Sequence, residues 1–167
     1  TEATDPVDTS TTEAAAEDTT STTLAPETTT TVAPRPTFAT PEATTIDGVL
    51  ELGRPAVIAH AGGDQSWPHS TMYAFNEAAA AGVDVLEMDV QLTADGILVV
   101  QHDATVDKTT ESTGRVRDLT YDELQALDNA YWWSAEWPEH DLPDDAYVYR
   151  GIRTGDAEPP AGYTPDD

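Results

Sequence analysis

The chain has no cysteine, one lysine and only seven basic residues against 32 acidic ones. The absence of cysteine excludes disulfides and leaves the redox compartment open. A net charge of −25 excludes a surface suited to nucleic-acid phosphates or anionic membranes, so no nucleic-acid partner is expected. The sequence shows neither an apolar run long enough to cross a membrane nor a secretory signal peptide, so no transmembrane segment is expected in this chain. Its 167 residues suffice for one domain.

Residues 1–45 are a different material from the rest. They hold 17 threonines, many alanines and prolines, eight acidic residues and one basic residue, Arg35. Such a Thr/Pro/Ala-rich tail cannot bury a core and is expected to be disordered. Stalks of this kind are typical of exported proteins, where they space a domain from the cell surface. An extracellular or cell-envelope location follows as an expectation. Residues 46–167 carry the periodic segments and are the expected folded domain.

The most informative stretch there is Asp84-Val85-Leu86-Glu87-Met88-Asp89-Val90-Gln91-Leu92. In a strand, side chains alternate. Leu86, Met88, Val90 and Leu92 then face one way, and Glu87 and Asp89 the other. Neighbouring carboxylates repel unless a positive group lies between them, and a hard cation with oxygen ligands would serve. An isolated Glu-x-Asp more often marks a solvated strand face, so its neighbours decide the matter.

Two histidines end nearby apolar runs. One run is Ala56-Val57-Ile58-Ala59-His60 and the other is Ile97-Leu98-Val99-Val100-Gln101-His102. Short apolar runs read as strands buried on both faces of an α/β fold, with the site at their carboxyl ends. Between the first run and the carboxylates lies a helix signal. Ser70 or Thr71 can cap it, Met72, Phe75 and Ala79 recur at helical spacing, and Gly82 can stop it. A right-handed strand–helix–strand crossover places His60 beside Glu87 and Asp89. Asp95-Gly96 signals a hairpin, and a two-residue turn there makes Asp89 and His102 direct cross-strand neighbours. A parallel third strand also brings His102 to the carboxylates, and the sequence leaves both topologies open.

Residues 56–128 resemble the glycerophosphodiester phosphodiesterase domain family. The matching motifs are His60-Ala61-Gly62, Pro68-His69-Ser70-Thr71, Glu87-Met88-Asp89-Val90-Gln91-Leu92-Thr93-Ala94-Asp95-Gly96, Val99-Val100-Gln101-His102-Asp103, Asp107-Lys108-Thr109-Thr110 and Gly114-Arg115-Val116. The resemblance implies a (β/α)8 TIM barrel and a divalent cation, Mg²⁺ or Ca²⁺. It implies His60 and His102 as the general acid/base pair and Glu87 and Asp89 as two metal ligands. Gly62 and His69 are candidate substrate-binding positions. The chain departs from the family pattern at Ala61, where Arg is usual, and at His69, where Glu is usual. The paired loss of one basic and one acidic group implies that the two sites are neighbours.

A full barrel needs about 250 residues. The chain is also without an initial Met, and no Glu-x-Lys motif for a third metal carboxylate follows Asp128. It is therefore expected to be an N-terminal fragment with about three barrel strands, structured over about residues 46 to 130 and inactive alone. The cluster Tyr131-Trp132-Trp133 with Trp137 could cradle a choline-like head group, but is more often packing between an insertion and its barrel. His140 reads as part of a solvated loop, and Thr120 to Glu123 as a capping box.

The resemblance implies an exported, metal-dependent phosphodiester hydrolase that cleaves glycerophosphodiesters to an alcohol and glycerol phosphate. A bound cation would reconcile an anionic substrate with so acidic a chain. The rival readings are a sphingomyelinase D-like lipid phosphodiesterase and a non-catalytic stalked surface domain.

Overall fold

A computed structural model describes residues 35–136 and 141–167. Trp137, His140 and residues 1–34 of the tail lie outside the described residues.

The first strand–helix–strand unit forms as its local signals require. Strand β1 is Ile58–Ala59, helix α2 is Met72–Ala81 and strand β2 is Val85–Leu86. A short helix α1, Ile46–Leu50, precedes them, with Thr45 as its cap. β1 and β2 pair in parallel, Ile58 with Val85 and Ala59 with Leu86, across the α2 crossover. Thr71 caps α2 by accepting the Ala74 N–H at 3.1 Å, and Gly82 ends the helix in a left-handed conformation. The buried side of α2 is Ala74, Phe75 and Ala78, while Met72, expected on that side, is exposed. Small side chains at 74 and 78 let the helix lie close to the turn after β1. A parallel βαβ unit is the element that a (β/α)8 barrel repeats, the fold that the family resemblance implies.

Strands β3, Val90–Leu92, and β4, Leu98–Val100, form an antiparallel hairpin. The turn has three residues, not two. Val90 faces Val100, Leu92 faces Leu98, and the Thr93 N–H donates to the Ile97 carbonyl. Gly96, at φ +83°, takes the left-handed position that such a loop needs. Side-chain bonds favour the longer loop: the Thr93 hydroxyl donates to Asp95 Oδ1 at 2.5 Å and accepts the Ile97 N–H at 2.9 Å. Asp89 consequently lies opposite Gln101, whose N–H donates to the Asp89 carbonyl.

The strands are not buried on both faces. Val57, Ile58, Val90, Leu92 and Leu98 are each more than half exposed, and each sheet has only two strands. The carboxylate side of Glu87 and Asp89 is the half-buried side.

Helix α3, Tyr121–Gln125, begins with the expected capping box between Thr120 and Glu123. Order continues beyond residue 130. Tyr147 and Tyr163 are buried, the Tyr163 hydroxyl donates to Glu77 Oε1 at 2.5 Å, and the Tyr73 N–H donates to the Asp167 carbonyl. The C-terminal segment thus lies on α2, and aromatic burial rather than regular structure holds it. Residues 35–45, assigned by composition to the tail, also touch the fold: Arg35 pairs with Asp167, and the Ala39 N–H reaches the Ala79 carbonyl. No helix among the described residues is long and apolar enough to cross a membrane.

The aromatic cluster is filled from within. Arg150 lies 4.3 Å from the ring centre of Tyr131, 4.9 Å from that of Trp132 and 4.1 Å from that of Tyr147. The site proposed for a choline-like head group is occupied by the chain's own guanidinium, which pins residues 128–151. Asp128, buried at the base of this segment, accepts the N–H groups of Ala130 and Gly151.

Candidate active site

The parallel pairing of β1 and β2 brings His60 and Glu87 to the same strand ends. The chain turns sharply after β1, and the Gly63 N–H returns to the His60 carbonyl at 2.7 Å. Ala61 in this turn has φ 48° and ψ 28°, a left-handed conformation that costs a residue with a Cβ about 1 kcal/mol. The strained turn aims the Ala61 N–H at Glu87 Oε2, 2.9 Å away, which fixes that carboxylate.

Among the described residues, the other non-glycine with positive φ is Ser70, at 58°. Its N–H donates to the Ala61 carbonyl at 2.9 Å. Both strained residues therefore lie in two loops stitched to each other at the site, a pattern typical of functional sites. This stitch ties the turn that holds Ala61 to the residue that follows His69.

The hairpin delivers the remaining groups. His60 and His102 meet edge to face with ring centres 5.7 Å apart. His102 Nε2 lies 4.0 Å from Asp89 Oδ2, although the two are not ladder partners. The pairing ends at Asp89 and Gln101, so His102 is the first residue past it. His69 lies beside His102, with ring centres 6.1 Å apart, and is buried. Burial pushes the His69 pKa down, and the nearby His102 adds to the effect. His69 is thus a neutral ring near pH 7, and its Nδ1 is 3.1 Å from the Ser70 hydroxyl.

Gly62 also has a packing role. A Cβ there would stand 3.2 Å from both the Ala74 methyl and the Phe75 ring, and φ is +88°. Glycine at 62 lets the turn seat against α2.

Three groups at the site were not singled out from the sequence. Asp64 Oδ2 lies 3.3 Å from His60 Nδ1, and Asp103 Oδ1 lies 3.5 Å from His102 Nδ1. Lys108 Nζ holds the same Asp103 oxygen at 3.0 Å. The four-residue spacing from His60 to Asp64 and the adjacency of His102 and Asp103 were visible signals, but only the turn geometry gives them meaning.

The donor set for a metal is two carboxylates, Glu87 and Asp89, and hard oxygen donors suit Mg²⁺ or Ca²⁺. Among the described residues no group of three or more His, Cys, Asp or Glu side chains is arranged to hold an ion.

Comparison with known proteins gives a consistent result. Residues 60–156 match the glycerophosphoryl diester phosphodiesterase family. The chain is 40% identical over 105 residues to glycerophosphodiester phosphodiesterase 1 of Homo sapiens, covering 63% of this chain and 31% of that protein. It is 51% identical over 72 residues to glycerophosphodiester phosphodiesterase of Caldanaerobacter subterraneus subsp. tengcongensis, covering 43% of this chain and 30% of that one. The solved glycerophosphoryl diester phosphodiesterase domain of a Mycobacterium tuberculosis protein aligns with 55% of this chain and 35% of its own, at 30% identity and a TM-score of 0.48. The chain spans under a third of the length of the two named enzymes.

Proposed function

The chain belongs to the glycerophosphoryl diester phosphodiesterase family, and from that premise we propose that the full protein hydrolyses glycerophosphodiesters to an alcohol and glycerol phosphate. The observation that carries this reading is the meeting of His60 and His102, 5.7 Å apart, with Asp89 beside His102 and Glu87 fixed through Ala61. Two imidazoles at this distance can serve the two proton transfers of a phosphodiester cleavage. One takes the proton of the attacking hydroxyl while the other gives a proton to the leaving alcohol oxygen. The neutral ring of His69, beside them, would exchange hydrogen bonds with a phosphate oxygen or a glycerol hydroxyl. Glu87 and Asp89 would hold a divalent cation, Mg²⁺ or Ca²⁺. When bound, such a cation polarises a phosphoryl oxygen and offsets the charge of both substrate and carboxylates. The Thr-rich tail supports an exported protein held at or beyond the cell envelope. Protease accessibility on intact cells would test that location, and full protection would refute it.

The central test is release of glycerol phosphate from glycerophosphocholine by the full-length protein. Turnover is expected with Mg²⁺, loss in excess EDTA and recovery on adding Mg²⁺ back. No release from any glycerophosphodiester overturns the activity, and undiminished turnover in EDTA overturns the metal.

A further inference from the structure

Asp64 belongs to none of the motifs that carry the family resemblance, yet its carboxylate lies on the ring of His60. We propose that Asp64 is a positioning residue that holds the His60 proton on Nδ1, so that Nε2 is the nitrogen offered to substrate. The catalytic consequence rests on the proposed function; the ring geometry does not.

Asp64 Oδ2 is 3.3 Å from His60 Nδ1, at the long end of hydrogen-bonding distance. An ionised carboxylate only accepts, so the ring must donate there, which places N–H at Nδ1. A neutral imidazole has one N–H, so Nε2 then carries the lone pair. When the ring is protonated, Nε2 becomes the second donor. In either state the proton is gained and lost at Nε2, from one fixed position.

The contact is built into the backbone. The N–H groups of Gly63 and Asp64 both return to the His60 carbonyl, at 2.7 and 3.3 Å, so Asp64 folds back over the ring one turn later. The Trp133 indole N–H donates to the Asp64 carbonyl at 3.1 Å from 69 residues along the chain. Trp133 is buried, so the aromatic segment clamps the loop that carries Asp64. Ala61 has no side chain that could steady the ring instead. The Asp64 side chain is 23% exposed beside a His60 side chain that is 59% exposed, so a partly shielded acceptor restrains an open ring.

His102 differs. Asp103 faces its Nδ1 at 3.5 Å but shares that oxygen with Lys108, and Asp89 faces its Nε2 at 4.0 Å. Carboxylates on both edges leave its tautomer unspecified, whereas among the described residues one carboxylate, Asp64, pairs with His60.

The test is the ¹⁵N spectrum of the histidine rings in the 167-residue chain, above the pH at which they are charged. Wild-type His60 should show a protonated Nδ1 and a bare Nε2. Asp64→Ala should move it toward the Nε2–H form that free histidine prefers. Asp64→Asn, whose side-chain oxygen still accepts, should largely keep the wild-type pattern. Trp133→Phe, which removes the indole N–H, should shift it part of the way. In the full-length enzyme, Asp64→Ala should lower kcat by about 10- to 100-fold with little change in KM, and Asp64→Asn should recover most of it. A wild-type Nε2–H tautomer, or spectra unchanged in Asp64→Ala, overturns the proposal. Should Asp64→Ala fail to fold, the wild-type and Asp64→Asn spectra decide. The expected tautomer in a protein inactive on glycerophosphodiesters would refute the proposed function and leave the positioning role standing.

Discussion

Replacing Arg150 by alanine should destabilise the fold by about 3 kcal/mol, a figure built from its cation–π and hydrogen-bond contacts. Its guanidinium lies 4.1 to 4.9 Å from the centres of three aromatic rings, and its side chain is 19% exposed. At that burial each cation–π contact is worth about 1 kcal/mol. The Nε donation to the Tyr131 carbonyl, 3.1 Å long, adds about 1.5 kcal/mol as a charge-assisted bond. The ion pair with Asp144 adds little, because that carboxylate is 97% exposed. Two terms reduce the sum. The rings share one cation, so their contributions overlap. Nη2 is buried with no hydrogen-bond partner among the described residues, which costs about 1 kcal/mol in the wild type. Urea unfolding followed by tryptophan fluorescence would measure the loss, since Trp132 lies in the cage. Arg150→Lys keeps the charge but loses the planar stacking, and should cost about half as much. Asp144→Ala should leave the midpoint unchanged. An Arg150→Ala midpoint equal to wild type would refute the cage. An Asp144→Ala loss as large as that of Arg150→Ala would show that the ion pair, not the rings, holds the segment.

Further predictions concern the site and its support. His60→Ala and His102→Ala should each lower turnover of the full-length enzyme by roughly 10² to 10⁴ with the fold intact; near-normal rates in both would remove them from the chemistry. Ala61→Arg combined with His69→Glu should change activity by more than the two single changes predict, because the Ser70 N–H ties the two loops together; additive effects would show independent sites. The Arg54 guanidinium and the Val57 N–H hold the Asp84 pKa down at about 2. Its folded value lies below the unfolded one, so this stabilisation is present above about pH 4 and is lost as pH falls toward 2. Urea midpoints at pH 5 and 2.5 should fall less in Asp84→Asn than in wild type, and equal falls would deny Asp84 that role.

What the sequence determined lies mostly within a few residues along the chain. A cap at Ser70 or Thr71 and the Thr120–Glu123 pair were legible because capping depends on a three-residue spacing, and the structure chose Thr71. The parallel βαβ unit was legible because a helix between two strands allows little else. His60, His102, Glu87 and Asp89 were legible as a group because motif order brings strand ends together. Tertiary structure decided what depends on distant partners. The hairpin register followed from Thr93 and Asp95 bonds, which lengthened the loop by one residue and moved Asp89 opposite Gln101. Asp64 gained its role only when a left-handed turn at Ala61 folded it over His60 and the distant Trp133 fixed its carbonyl. Order beyond residue 130 was hidden because rings and one caged arginine supply it, and such packing has no period in sequence. The exposure of Ile58, Val90 and Leu98 has the same origin: alternation tells which residues share a face, but only the packed neighbours determine whether that face is covered.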